Sequence, residues 1–143
     1  MASADIREQL TYVQEAEKLG VHSVWTVEGW GYDAVTPLAF LAGHTNRIKL
    51  GTSIMQICAR TPANIAMTAL SLANLSENRF LLGLGNSGPQ IVEGLHGVSF
   101  EKPLTRMRET VEIIRMALAG DKIDFSGSQH QLPLPGGQGR SLR

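Results

Sequence analysis

The chain has 143 residues, 43% of them hydrophobic, and its thirteen basic and thirteen acidic side chains cancel to zero net charge. This length suffices for one domain with a buried core, and the balanced charge excludes a basic surface of the kind that binds nucleic acid. No stretch is typical of a secretion signal or a membrane span, and the single cysteine, Cys58, cannot form an internal disulfide. We therefore expect a cytoplasmic protein that binds neither nucleic acid nor membranes, with Cys58 as a packing residue.

The first part of the chain predicts two helices, each followed by a strand. A helix with Ser3 as its N-cap ends at Gly20, and a strand rich in β-branched and aromatic residues follows over 22–27. Asp33 caps the second helix. The second strand covers 48–54 and has unusually small residues in its interior.

A third helix and a third strand continue this alternation. The helix begins with Thr61 as its cap and Pro62 as its first residue. Its inward-facing residues are expected to be Ile65, Thr68, Leu72 and Leu75. The apolar run 79–82 is typical of a strand that is buried on both faces. Strands that alternate with helices predict parallel strands joined by helical crossovers, and hence an α/β fold.

The third strand leads into a turn with three glycines, Gly83, Gly85 and Gly88, followed by Pro89. Glycines at this density allow a close approach to the backbone or a positive φ angle. Pro89 suits the first position of a helix, whose free N–H groups favour an anion such as a phosphate. The pattern indicates a cofactor site at the carboxyl end of a strand, with an ordinary tight turn as the alternative.

Two familiar motifs that this turn resembles are excluded by their context. The spacing of the three glycines matches the dinucleotide fingerprint, which requires a full-length helix and then an acidic residue at the end of a second strand. Here the helical stretch stops at Gly94. A serine-hydrolase elbow around Ser87 fails because Pro89 occupies a position that requires glycine.

The second part of the chain predicts one long helix and a small hairpin. The helix runs from Pro103 to Gly120, and the alternation over 123–132 around a Ser-Gly pair is typical of a hairpin. The apolar stripe expected to face the core consists of Leu104, Met107, Val111, Ile114 and Leu118. The glycine- and proline-rich end of the chain predicts a flexible tail over 137–143.

Several individual side chains carry expectations of their own. The four histidines show no paired spacing on one helix face, so we predict no metal site. Arg79 is expected to hold a buried or interfacial ion pair. Trp25 is expected in the core, whereas Trp30, in the loop after the first strand, could line a pocket that holds a ring.

Taken together, four segments resemble the bacterial luciferase-like monooxygenase family, especially the branch that uses the deazaflavin coenzyme F(420). They are AEKLGVHSVWTVE (16–28), RIKLGTSIMQICARTPANIAM (47–67), LSENRFLLGLGNSGPQIVEGLHGVSF (75–100) and KPLTRMRETVEIIR (102–115). The resemblance implies a TIM (β/α)₈ barrel with the cofactor lying across the carboxyl ends of the strands. We expect residues 1–136 to form part of such a barrel, about three parallel β/α units preceded by a helix, and 137–143 to diverge.

The resemblance also implies which residues contact the cofactor. A non-prolyl cis peptide bond at Ser53–Ile54 would form a bulge that backs the ring of coenzyme F(420), or of FMN as the alternative. Ser53 could instead be a small residue that allows close packing. The residues that match the family loop near the ribityl and phosphate portion are Gly85, Asn86, Ser87 and Gly88.

Glu28 is the candidate catalytic residue. It follows the first strand and so faces the mouth of the implied active site, where similar enzymes place polar or acidic groups. The alternative is a solvated loop carboxylate with no catalytic role.

The function implied by the resemblance is oxidoreduction of a small-molecule substrate. The reaction would be hydride transfer through the deazaflavin, or FMN-dependent monooxygenation. Three strands of the eight in a closed barrel leave unpaired edges and an uncovered face. We therefore expect a homo-oligomer or a second chain that completes the barrel. The alternative is a non-catalytic, truncated remnant or partner subunit of such an enzyme.

Overall fold

The computed structural model describes residues 5–142. The helices of this part are α1 (Ile6–Lys18), α2 (Val35–Ala42), α3 (Pro62–Leu75), α4 (Pro89–Val92) and α5 (Pro103–Ala119). The strands are β1 (Ser23–Thr26), β2 (Lys49–Thr52), β3 (Met55–Gln56), β4 (Phe80–Leu81), β5 (Leu84–Gly85), β6 (Phe125–Ser126) and β7 (Gln131–Leu132). Within residues 5–142 no helix is both long enough and apolar enough to cross a bilayer.

Three parallel strands form one sheet in the order β1-β2-β4. In its register Val24 lies beside Leu50, which in turn lies beside Phe80. Because α2 and α3 connect these strands along the chain, the sheet confirms the predicted alternation of helices and parallel strands. β3 pairs with β5, and β6 pairs with β7 in the antiparallel hairpin that the sequence predicts.

The chain divides into two compact units. The first consists of the described residues up to Met55 together with Ser71–Leu84, and the second of Gln56–Leu70 together with the described residues from Gly85 onward. The buried core of the first unit consists of Val13, Leu38, Leu41, Ala42, Ile48, Leu50 and Leu72. Half-buried Val24 and Phe80 pack against this core from the sheet.

The opposite face of the three-stranded sheet is open in the first unit. Trp25 lies beside Gly51, and Gly51 beside Leu81. A Cβ atom at Gly51 would overlap the Trp25 indole, so the ring lies directly across this glycine. Trp25 is 47% exposed, and its predicted core position is wrong. Side chains alternate between the two faces of a strand, and Trp25 falls on the face opposite Val24 and the core.

Arg79 holds the start of β2 in place, but not through the ion pair that the sequence suggested. Its guanidinium donates to the carbonyl oxygens of Ala42, Thr45 and Ile48 at 2.9–3.0 Å. It also donates to the Thr45 hydroxyl at 2.9 Å. The expected ion pair is wrong because backbone carbonyl groups, rather than a carboxylate, accept from Nη1 and Nη2 of the guanidinium.

In the second unit, the buried face of α5 overlaps only in part with the stripe that its apolar residues predict. Leu104 is 78% exposed, and the buried residues of the helix are Glu109, Thr110, Ile113, Ile114 and Ala117. The prediction is correct for Ile114 and wrong for Leu104, because the buried face also includes a carboxylate and a hydroxyl. The other predicted residues are half-buried, namely Met107, Val111 and Leu118. The Glu109 carboxylate accepts hydrogen bonds from the backbone N–H groups of Ser128, Gln129 and His130 at 2.8–2.9 Å. Helix α5 therefore fixes the β6–β7 hairpin through a buried polar contact.

The helix ends agree with most of the capping predictions. Ser3 lies outside the described residues, and the N-cap of α1 is Asp5, whose side chain accepts from the Arg7 N–H at 3.0 Å. Asp33 accepts from the first N–H groups of α2, as predicted. Leu75, expected to face inward, is 56% exposed, because the buried face of α3 near its end passes through Leu72.

Candidate functional site

The carboxyl ends of β1 and β2 meet at one edge of the sheet in the first unit. The chain turns sharply after β2, and the peptide bond Ser53–Ile54 is cis, which confirms the prediction. The Ser53 N–H donates to the Thr26 carbonyl oxygen at 2.7 Å, and the Met55 N–H donates to the Gly83 carbonyl oxygen at 2.8 Å. Ser53 is exposed, so this corner presents that residue at the edge where ligands of parallel α/β folds bind.

A buried threonine holds the corner against the segment after β4. The Thr52 hydroxyl donates to the Gly83 carbonyl oxygen at 2.8 Å and accepts from the Gly83 N–H at 3.0 Å. A Cβ atom at Gly83 would overlap the Thr52 carbonyl oxygen. Gly83 therefore serves the close backbone approach that its sequence context predicts. The sequence does not indicate this role of Thr52, because a threonine in a strand has the same pattern as any other β-branched strand residue.

Glu28, the candidate catalytic residue, is half-buried just beyond β1 at the same edge. Its Oε1 accepts from the Ala34 N–H at 3.3 Å. The Asp33 Oδ1 accepts from the N–H groups of Val35 and Thr36, at 2.8 Å each. Both carboxylates therefore lie at the N-terminus of α2, where the helix dipole favours negative charge. Trp30, in the intervening loop, is 71% exposed.

The predicted glycine turn, Gly85, Asn86, Ser87 and Gly88, lies in the second unit. Its left-handed residue is Ser87, with φ +59°, rather than a glycine. Gly88 is extended and is the N-cap of the four-residue helix α4, which Pro89 opens as predicted. Near Gly88 a Cβ atom would meet only the flexible Gln90 side chain, so its backbone is open to a close approach.

The Asn86 side chain carries a buried oxygen, Oδ1, with no hydrogen-bond partner among the described residues. Asn86 lines a cavity of about 10 Å³ in the second unit. That volume holds one water molecule, which would satisfy the oxygen. In the first unit the feature available to a ligand is the exposed Ser53, and in the second unit it is the open backbone at Gly88. No group of three His, Cys, Asp or Glu side chains within residues 5–142 is placed to hold a metal ion.

Two relatives match most of this chain. A protein of Mycobacterium tuberculosis, provisionally named a coenzyme F(420)-dependent oxidoreductase, is 47% identical over 136 residues, which cover 92% of this chain and 39% of the relative. The 5,10-methylenetetrahydromethanopterin reductase of Methanolobus tindarius is 38% identical over 117 residues, which cover 81% of this chain and 36% of that enzyme. The chain thus spans well under half the length of these relatives.

Two solved structures share the fold. Monooxygenase RslO1 from Streptomyces bottropensis superposes with a TM-score of 0.83 at 26% identity, over 95% of this chain and 42% of that one. The oxygenating constituent of 3,6-diketocamphane monooxygenase from Pseudomonas putida, solved with FMN, superposes with a TM-score of 0.79 at 17% identity. That match covers 88% of this chain and 38% of the other, and it shows the fold alone.

The fold is part of a TIM (β/α)₈ barrel, with its candidate site at the carboxyl edge of parallel strands. The chain belongs to the luciferase-like monooxygenase family, whose model matches residues 1–141. The resemblance seen in the sequence is confirmed.

Proposed function

We propose that this chain provides the cofactor-binding edge of a coenzyme F(420)-dependent oxidoreductase that acts on a small-molecule substrate. The observation that carries the proposal is the corner after β2 with its exposed residue Ser53, at the carboxyl edge of three parallel strands. The 47% identity to the M. tuberculosis protein supports the deazaflavin in preference to FMN. When bound, the deazaflavin would supply the redox chemistry by accepting or donating a hydride at C5.

The residues of this chain would bind the cofactor and orient it and the substrate. The backbone at Ser53 and Ile54 would back the cofactor ring, in a position that Thr52 and Gly83 fix. The Glu28 carboxylate at the same edge would accept or return a proton of the substrate. It would do so while its Oε1 keeps the contact to the Ala34 N–H that orients it.

The glycine turn would contact the ribityl and phosphate portion of the cofactor. Gly85 and Gly88 leave the backbone free of side chains, and the left-handed Ser87 turns the chain between them. Asn86 would hold the turn through the water molecule that its buried oxygen accommodates.

A titration of the full chain with the deazaflavin and, separately, with FMN tests this proposal. We expect the cofactor fluorescence to change saturably, with a Kd in the micromolar range or below for the deazaflavin. Circular dichroism of the same sample shows whether the chain is folded. No binding of either cofactor to a well-folded chain would favour the alternative, a non-catalytic remnant or partner subunit.

We further propose that another polypeptide segment covers the open face around Trp25, either from a second copy of this chain or from a second protein. The relatives contain more than twice the matched length, which is compatible with such a requirement. The edge strands β1 and β4 each have one side that no described strand pairs.

A further inference from the structure

A cleft in the second unit is lined by cationic side chains that the proposed function does not use. Its volume is about 290 Å³, and it lies between the loop before α3 and the hairpin β6–β7. Arg60, Arg106 and His130 line it, together with Gln129 and Cys58. No acidic side chain is among the described residues that form its wall, so the two guanidinium groups give it a positive potential.

The hairpin side of the cleft is held in position by hydrogen bonds. Arg106 donates to the Gln129 Oε1 from Nε and Nη2, at 3.4 and 3.2 Å. The His130 Nε2 lies 3.1 Å from the Thr110 Oγ1. Behind this wall the Glu109 carboxylate accepts the N–H groups of three successive hairpin residues. The Glu109 carboxylate is therefore already engaged by donors.

We propose that this cleft binds a phosphate-type oxyanion, with Arg60 and Arg106 as its charged ligands. Guanidinium groups present planar sets of donors that match phosphate oxygens and form charge-assisted hydrogen bonds with them. The volume lies at the lower end for ligand pockets, which suits inorganic phosphate or a small phosphate ester. The site shares no residue with those proposed for the deazaflavin.

His130 would report on the bound anion. Burial lowers the pKa of His130, and the positive charge of Arg106 acts in the same direction, whereas Glu109 opposes both. An anion between the two arginines would favour the protonated imidazole and therefore raise this pKa. The shift can be followed by NMR of the imidazole during titration.

The test uses the full chain, with inorganic phosphate as the probe and sodium chloride at matched ionic strength as the blank. We expect saturable binding by calorimetry, and slower alkylation of Cys58 by iodoacetamide when phosphate is present. Because charge-assisted hydrogen bonds are strong, R60Q and R106Q should each weaken phosphate binding by about tenfold or more. R115Q, at an exposed position of the same helix as Arg106, should leave it unchanged.

Each outcome decides the proposal. Absence of saturable phosphate binding would overturn the proposal. An equal loss of phosphate affinity in R115Q would also overturn it, because the anion would then respond only to the overall positive charge of the surface. If R106Q does not fold because Gln129 loses its donor, the phosphate affinity of R60Q alone decides the proposal. Glycerol phosphate that binds at least as tightly as phosphate would support a phosphate ester as the ligand. Binding of inorganic phosphate alone would support the free ion.

Discussion

The Thr52 hydroxyl satisfies both backbone polar groups of Gly83, donating to the carbonyl oxygen and accepting from the N–H. Thr52 is fully buried, and Gly83 is half-buried. The contact joins the end of β2 to the segment that follows β4, next to the corner proposed to back the cofactor ring.

Replacing this hydroxyl by a methyl group should destabilise the protein without changing the shape of the side chain. In T52V the Gly83 N–H loses its partner, whereas the Gly83 carbonyl oxygen keeps the hydrogen bond from the Met55 N–H. A buried polar group without a partner costs about 1–3 kcal/mol. We expect the free energy of unfolding in urea to fall by about that amount.

The matched control is T52S, which keeps the hydroxyl and removes only a methyl group. It should retain most of the stability that T52V loses. Equal losses in the two variants would mean that packing of the methyl group, rather than the hydrogen bonds, is what Thr52 contributes.

A second prediction concerns the glycine turn. G88V should block cofactor approach while leaving the fold intact, because a Cβ atom there meets only a flexible side chain and Gly88 has an extended backbone. We expect deazaflavin affinity to fall by tenfold or more, measured by fluorescence titration.

The control for this variant is G43V, at the exposed C-cap of α2, which is not among the residues proposed to contact the cofactor. It should bind the deazaflavin like the unmodified chain. Unchanged affinity in a folded G88V protein would exclude the turn from the cofactor site.

The third prediction is a pH dependence of stability. Burial alone would raise the pKa of Glu109, but hydrogen bonds from Gln129, Ser128 and His130 outweigh it and hold the pKa below the ordinary value of 4.5. A carboxyl group with a lowered pKa contributes stability that is present above pH 4.5 and is lost as the pH falls through its folded-state pKa.

E109Q should therefore flatten the loss of stability below pH 4.5. At neutral pH the same variant should be less stable by about 1–3 kcal/mol, because it weakens the hydrogen bonds to the hairpin. Urea unfolding at several pH values measures both effects. E112Q, at an exposed position of α5, is the control. A pH profile of E109Q that matches that of E112Q would contradict the assignment.

The fourth prediction is that the isolated chain associates or is marginally folded and inactive. The open sheet face exposes Trp25. Burial of apolar area stabilises a protein by about 25 cal/mol per Å², so a few hundred Å² that stay exposed mean a loss of several kcal/mol of stabilisation. That loss is comparable with the stability of a whole domain. Light scattering should show a mass that rises with concentration, together with a concentration-dependent thermal transition.

Two exposed aromatic residues distinguish the surfaces that could associate. W25S should reduce association if the open sheet face is responsible, whereas Y12S, on the outer face of α1, should not. The reverse result would place the contact on the helices. A strictly monomeric chain with a sharp, concentration-independent transition and turnover would refute the prediction.

Local sequence patterns predicted most of the secondary structure. Pro62 and Pro103 begin α3 and α5, and Gly120 ends α5 with φ +84°. Asp33 caps α2. These features depend on residues within a few positions of one another, so they can be read without knowledge of the fold. The shared pattern of four segments likewise sufficed for the family and for the cis peptide bond at Ser53–Ile54.

Contacts between residues distant in sequence were decided by the tertiary structure alone. The partners of Arg79 are carbonyl groups 31–37 positions away, and the Glu109 carboxylate meets N–H groups 19–21 positions away. The open side of the sheet, on which Trp25 lies, depends on where the helices pack. The hydrogen-bond partners of Arg79 and Glu109 depend on which backbone groups the fold leaves without other partners, and a linear sequence does not show that.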